Sequence, residues 1–151
     1  AKISLVDWYN TTIKIESTDK QEVVKWSNKV FNHWKNYNDE SVEIISSTNG
    51  IDTNYSYCMD YDASKAGLNI LTKNLAIEFA PKVRVNAVSP GWVKTKMNEL
   101  LDNDFIEEEN KKITLNRFAE PVEIANVVYF LTSNDASYIN GSIITVDGGR
   151  I

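Results

Sequence analysis

The sequence predicts an α/β protein with a mainly parallel β-sheet. Short segments rich in β-branched residues alternate with longer segments whose apolar residues recur at helical spacing. Parallel strands need crossover connections of this length, and a helix usually fills them. At 151 residues, of which 42% are hydrophobic, the chain holds enough apolar material for one core, so we expect a single domain.

Each element has a local signal. The first helix can begin at Thr18 or Asp19, and its aromatic residues recur at helical spacing, as expected of a core face. The last helix opens with Pro121 and carries Ile124 and Leu131 on one face. Together these signals predict strands near residues 3–6, 12–15, 42–45, 83–88 and 143–146, and helices near 19–35, 62–79, 97–112 and 121–132.

The first two predicted strands are too close in sequence for a parallel crossover. Only residues 7–11 separate them, whereas a crossover needs about a dozen residues or more. A connection this short permits only a hairpin, which would contradict a parallel sheet. We therefore expect that segments are missing before residue 42 and that the predicted sheet is incomplete.

Charge and composition argue against several classes of function. A net charge of -5 disfavours nucleic-acid binding, which requires a basic face. One cysteine, Cys58, and one histidine, His33, cannot supply the usual zinc ligand sets, so no metal site is predicted. The apolar runs are far shorter than the ~20 residues that span a bilayer, and no leader-like segment opens the chain. These features predict a cytoplasmic protein.

Tyr61 and Lys65 form the most informative local pattern in the sequence. Residues four apart share one helix face, so the ammonium can lie beside the phenol and favour its ionised form. A free phenol has a pKa of roughly 10, and a neighbouring cation brings proton exchange closer to neutral pH. The alternative is an amphipathic tyrosine at a helix start. Ser47, fourteen residues before Tyr61, follows a predicted strand and lies where a hydroxyl would be presented at the strand's end.

From Val42 to Gly149 the chain resembles the short-chain dehydrogenase/reductase family, most of all its 3-oxoacyl-[acyl-carrier-protein] reductase group. The matching segments follow the family's order and comprise residues 45–50, 61–68, 85–91 with Thr95, 116–121, 136–141 and 146–149. The resemblance implies a Rossmann-like, doubly wound sheet with helices on both faces. The sequence departs from the family in two ways. No glycine occurs before Gly50, although members of the family carry a Gly-rich turn after their first strand that receives the cofactor pyrophosphate. An Asn-Asn-Ala-Gly segment is also missing.

The resemblance implies an NAD(P)-dependent oxidoreductase that interconverts a ketone and a secondary alcohol. Tyr61 would donate the proton, and Lys65 would tune Tyr61 and hold the nicotinamide ribose. Ser47, favoured over the adjacent Ser46, would hydrogen-bond the substrate carbonyl. The alternative for Ser47 is a turn-capping hydroxyl.

The same resemblance implies the remaining cofactor contacts. Pro90 and Gly91 would approach the nicotinamide end, Thr95 would contact the carboxamide, and Val93 would add a backbone contact. The alternative for this segment is a turn that merely ends a strand. Asp7 would accept ribose hydroxyls and favour NAD over NADP if it ends the second strand of the fold, and has no such role if it ends the first. The choice between NAD and NADP therefore stays open.

Substrate and partners also follow from the resemblance. A 3-oxoacyl thioester, free or bound to acyl carrier protein, is the favoured substrate, and a sugar or other small alcohol is the nearest alternative. Residues 97–115 would form a helical lid, and the acidic run from Asp102 to Glu109 predicts a solvated face. The family's usual homotetramer would pair helices 62–79 and strands 143–146. If the chain is complete, the missing phosphate-binding turn instead predicts a non-catalytic remnant or an interaction subunit.

Overall fold

The computed structural model describes residues 41–53 and 55–151. The strands predicted near 3–6 and 12–15, the helix predicted near 19–35 and Asp7 lie outside this part. Within it, three strands form one parallel sheet in the order β1-β2-β3, comprising β1 (Ser41–Ile45), β2 (Arg84–Pro90) and β3 (Ile143–Val146). The helices are α1 (Met59–Phe79), α2 (Asn103–Lys111) and α3 (Pro121–Thr132). None of these described helices combines the length and apolar character that crossing a membrane requires.

Helices cover both faces of the sheet. Successive side chains of a strand point to opposite faces. On one face, the buried residues that pack between the sheet and α1 are Ile44, Leu68, Ala76, Phe79, Val85 and Ala87. On the other face, the buried residues that pack between β2 and α3 are Val88, Ile124, Val128, Leu131 and Ala136. Strands buried on both faces are typical of parallel sheets, and the predicted α/β architecture is confirmed.

The largest difference from the predicted boundaries concerns the helix expected near 97–112. Residues Lys96–Asn98 form only a 3-10 turn, and α2 begins at Asn103. The backbone of Asp102 is extended, and its carboxylate accepts a hydrogen bond from the backbone N–H of Phe105 at 2.7 Å. Because such a side chain satisfies a free N–H at a helix start, it favours a new helix that begins directly after Asp102.

Strand β2 extends two residues beyond its predicted end, through Pro90. Ile45, the last residue of β1, pairs with Val88, so Pro90 pairs only with Val146 of β3. The missing N–H of Pro90 therefore costs no ladder bond to β1. Helix α1 begins at Met59, three residues before its predicted start.

Glu43 gives the fold a predictable pH dependence. It is 4% exposed, and within the described residues its Oε1 atom has no hydrogen-bond partner. Burial raises its pKa to about 7, although Arg84 and a hydrogen bond from Ser41 oppose the shift. The folded protein therefore binds more protons than the unfolded chain between pH 4.5 and about 7, so the free energy of unfolding falls as pH rises through that window.

We expect Glu43→Gln to abolish this dependence and to stabilise the protein by about 2 kcal/mol above neutral pH, because no buried charge then forms. Urea unfolding on both sides of the window measures the effect. The exposed Glu78→Gln on α1 serves as the control and should change stability by less than about 0.5 kcal/mol. Equal effects of the two substitutions above neutral pH would contradict the prediction.

Candidate active site

The carboxyl end of β1 brings Tyr61 and Lys65 together. Both lie in the first turns of α1, four residues apart and therefore on one face. The Nζ atom of Lys65 lies 5.5 Å from the centroid of the Tyr61 ring and donates a hydrogen bond to the backbone carbonyl of Ile45 at 3.2 Å. The strand end thus fixes the ammonium beside the Tyr61 ring.

The two serines that follow β1 have different partners. Ser46 donates its hydroxyl proton to the backbone carbonyl of Lys65 at 3.1 Å. The Oγ atom of Ser47 accepts from the backbone N–H of Asn49 at 3.2 Å and donates to Oδ1 of the same residue at 3.3 Å. Asn49 in turn donates to Asp62 at 2.7 Å. Ser47 therefore caps the following turn, and its long donor bond is weak enough to be exchanged for another acceptor.

Gly50 sets the distance between this turn and α1. A Cβ atom at Gly50 would lie 2.6 Å from the carbonyl carbon of Lys65 and 2.7 Å from the nitrogen of Ala66. Asn69 of α1 also donates to the backbone carbonyl of Gly50 at 3.0 Å. The turn that carries Ser47 and the helix that carries Lys65 are therefore in direct backbone contact, and their positions depend on each other.

The end of β2 lies beside this group, because β1 and β2 are neighbours in the sheet. Pro90 is buried there, and the N–H of Gly91 donates to the carbonyl of Val146 at 3.1 Å. A Cβ atom at Gly91 would lie 2.9 Å from Cβ of Asp147. Gly91 thus permits close packing between the segments that follow β2 and β3.

Val93 and Thr95 lie farther along the chain, towards α2 and α3. Val93 pairs with Ala119, and Thr95 is exposed at the start of the 3-10 turn that precedes α2. Thr95 also lines a cavity of about 750 Å³. The other residues lining that cavity are Lys94, Lys96, Asn98, Glu99, Ile106, Asn110, Arg117, Phe118 and Pro121. The described residues include no cluster of ligands suited to a metal ion.

Glu109 is a buried site residue that the sequence prediction missed. It is only 1% exposed, so the prediction of a solvated face for residues 102–109 is wrong at this position. Phe105 and Ile106 precede it by four and three residues, which places all three on one helix face. This spacing was a usable signal that Glu109 turns inwards with the two apolar side chains.

Four donors surround the Glu109 carboxylate. It accepts hydrogen bonds from Lys112 at 2.6 Å, from Tyr55 and Arg150 at 2.8 Å, and from Trp92 at 2.9 Å. Burial alone would raise the pKa of Glu109, but these hydrogen bonds outweigh it and lower the pKa to about 2. The carboxylate is therefore charged throughout the physiological pH range.

A protein-family model and several known proteins are similar in sequence to this chain. A protein-family model described as enoyl-(acyl carrier protein) reductase matches residues 6–150. The 3-oxoacyl-[acyl-carrier-protein] reductase FabG of Aquifex aeolicus is 46% identical over 106 residues, which cover 70% of this chain and 42% of that protein. Human dehydrogenase/reductase SDR family member 4 is 44% identical over 112 residues, which cover 72% of this chain and 40% of that protein.

A solved structure supports the same assignment. The short-chain dehydrogenase/reductase, glucose/ribitol dehydrogenase, from Brucella melitensis is 32% identical, has a TM-score of 0.73, and aligns over 86% of this chain and 52% of that one. This likeness confirms the predicted Rossmann-like fold. The chain spans less than half the length of the two curated relatives above. The family-model match and these identities show that the chain belongs to the short-chain dehydrogenase/reductase family.

Proposed function

We propose that the protein is an oxidoreductase that interconverts a ketone and a secondary alcohol with NAD or NADP. Its family is one of NAD(P)-dependent oxidoreductases. The observation that carries the proposal is the Lys65 ammonium, which lies 5.5 Å from the centre of the Tyr61 ring and donates a hydrogen bond to the last residue of a parallel strand. Ligands of open α/β sheets bind at the carboxyl ends of such strands.

Three side chains have separate roles in proton transfer to the substrate. Ser47 donates a hydrogen bond to the substrate carbonyl oxygen in place of its long contact to Asn49. Tyr61 donates its proton to that oxygen as negative charge develops there. Lys65 stabilises the phenolate that remains. In the direction of alcohol oxidation, the Tyr61 phenolate accepts the hydroxyl proton instead.

The donor set at the ends of β1 and β2 fits the nicotinamide half of a dinucleotide, which supplies or accepts the hydride when it is bound. Lys65 can hold ribose hydroxyls, and the turn at Pro90 and Gly91 that follows β2 is proposed to approach the ring. Val93 offers a backbone contact, and Thr95 offers a hydroxyl to the carboxamide. Asp7 is proposed to favour NAD, on the condition that it ends the second strand of the fold.

Reduction of a 3-oxoacyl thioester is the favoured reaction. The 46% identity to a 3-oxoacyl-[acyl-carrier-protein] reductase supports it. A delivering acyl carrier protein is acidic, and Lys96 gives it an exposed cation beside the cavity. The name of the glucose/ribitol dehydrogenase from Brucella melitensis favours a sugar or another small alcohol as the second candidate.

We propose that the protein acts in the cytoplasm as a homotetramer. Within the described residues, Ile70 and Ile77 of α1 are large apolar side chains with 61% and 78% exposure. An apolar helix face of this kind would be covered by a second copy of α1 in a tetramer.

A nicotinamide assay tests the proposed reaction. We expect the protein to oxidise either NADH or NADPH when a 3-oxoacyl thioester is supplied. The loss of reduced-nicotinamide absorbance measures this reaction. Sugars and simple ketones are assayed in parallel, and turnover of these alone would favour the second candidate. If no substrate is turned over and calorimetry detects no dinucleotide binding, the oxidoreductase proposal is wrong, and an interaction subunit is favoured.

A further inference from the structure

One buried carboxylate joins the segments that follow all three described strands. Tyr55 follows β1, Trp92 follows β2 and Arg150 follows β3, and each donates a hydrogen bond to Oε2 of Glu109. Lys112 donates to Oε1. Arg150 also donates to the hydroxyl of Tyr55 at 2.8 Å, which closes the network. Because parallel strands end at one edge of a sheet, these contacts lie at the edge that also carries the proposed active site.

The network has the features of a rigid junction. Glu109 is 1% exposed, and the side chain of Arg150 is 18% exposed, so water competes little for their charges. Both carboxylate oxygens are satisfied, and two of the four donors are cations. Charge-assisted hydrogen bonds are about twice as strong as neutral ones. A buried charge that loses its partners is strongly unfavourable, so the donors are held in one arrangement.

Trp92 connects this junction to the proposed cofactor turn, because it directly follows Gly91. Its ring stacks on Phe118 with centroids 5.3 Å apart and meets Phe105 of α2 edge-on at 5.6 Å. On α2, Ile106 and Asn110 line the cavity that also contains Thr95. Glu109 therefore sets the position of α2 relative to the Gly91 turn, and with it the position of the two α2 residues that line the cavity.

We propose that Glu109 is a positioning residue that holds α2 over the carboxyl end of the sheet in the arrangement that binds substrate. This inference rests on the proposed function. Glu109 acts through Trp92 and α2, whereas the proton chemistry belongs to Tyr61 and Lys65. Loss of the Glu109 charge should consequently weaken substrate binding more than it slows the chemical step.

The test compares Glu109→Gln with Glu108→Gln. The control substitution removes an exposed carboxylate from the preceding position of the same helix. We expect Glu109→Gln to raise KM about tenfold and to change kcat less than about threefold. Amide hydrogen exchange should accelerate about tenfold in α2 and in residues 91–95, but stay unchanged in β2. Glu108→Gln should alter none of these quantities.

Other outcomes separate the inference from its alternatives. Unchanged KM and exchange in Glu109→Gln would overturn it. Faster exchange in β2 as well would show a general stabilising role and would also overturn it. If Glu109→Gln does not fold, Arg150→Met removes one donor from the same carboxylate and should raise KM in the same direction; an unchanged KM in that variant would overturn the inference.

The exchange measurement needs no turnover. If the wild-type protein reduces no substrate, local acceleration in α2 and residues 91–95 would still support the positioning role, while the absence of turnover would count against the proposed function alone.

Discussion

Tyr61→Phe is expected to lower kcat by about three orders of magnitude while dinucleotide affinity changes less than about twofold. The substitution removes only the hydroxyl. A phenylalanine ring can still lie beneath the Lys65 ammonium, which is 5.5 Å from the ring centroid. The Nζ atom of Lys65 donates to the backbone carbonyl of Ile45, and the Ser46 hydroxyl donates to the backbone carbonyl of Lys65, so neither hydrogen bond involves the Tyr61 hydroxyl. The predicted loss of kcat is therefore a loss in the rate of the proton-transfer step.

Steady-state kinetics and calorimetric titration with the dinucleotide measure the two quantities separately. Tyr129→Phe is the matched control, because it removes the same hydroxyl from a 69% exposed tyrosine on α3. It should leave both quantities unchanged. Near-normal turnover by Tyr61→Phe would refute its role as proton donor. A parallel loss of dinucleotide affinity would instead show that Tyr61 mainly shapes the binding site.

The parts of the fold that depend on local pattern could be predicted from the sequence. The apolar face of α3, with Ile124 and Leu131, and the strand at 143–146 follow directly from residue spacing. The break before α2 could not be foreseen from periodicity, since it depends on one side-chain cap at Asp102. Local capping competes with helical pattern, and the capped geometry prevails here.

The candidate site, like the fold, could be predicted from the sequence only in part. The proximity of Tyr61 and Lys65 follows from a four-residue helical spacing, and the structure shows it. The catalytic and cofactor roles given to these residues stay predictions. The Glu109 network joins side chains 54, 17 and 41 positions away along the chain, and no local pattern encodes such contacts. Only the inward direction of Glu109 had a sequence signal.

Gly50→Ala is expected to destabilise the protein by about 3 kcal/mol and to lower kcat about a hundredfold. The added methyl group would lie 2.6 and 2.7 Å from backbone atoms of Lys65 and Ala66, which cannot rotate away as a side chain could. The turn must therefore move away from α1. Ser47 lies on that turn, and Lys65 and Tyr61 lie on α1, so relief of the clash separates the proposed catalytic groups. A shift of about 1 Å in such a group can cost two orders of magnitude in rate.

Gly67→Ala provides the control on the same helix. A methyl group there meets no other heavy atom within 4 Å in the described part of the chain. Alanine is the better helix former, so this variant should gain about 0.5–1 kcal/mol and keep its activity. Urea unfolding and kcat measured on folded protein distinguish the outcomes. Wild-type stability in Gly50→Ala would contradict the close backbone contact. Reduced stability with an unchanged kcat would mean that Ser47 does not act together with Tyr61 and Lys65, since their spacing would then have changed without consequence for the reaction.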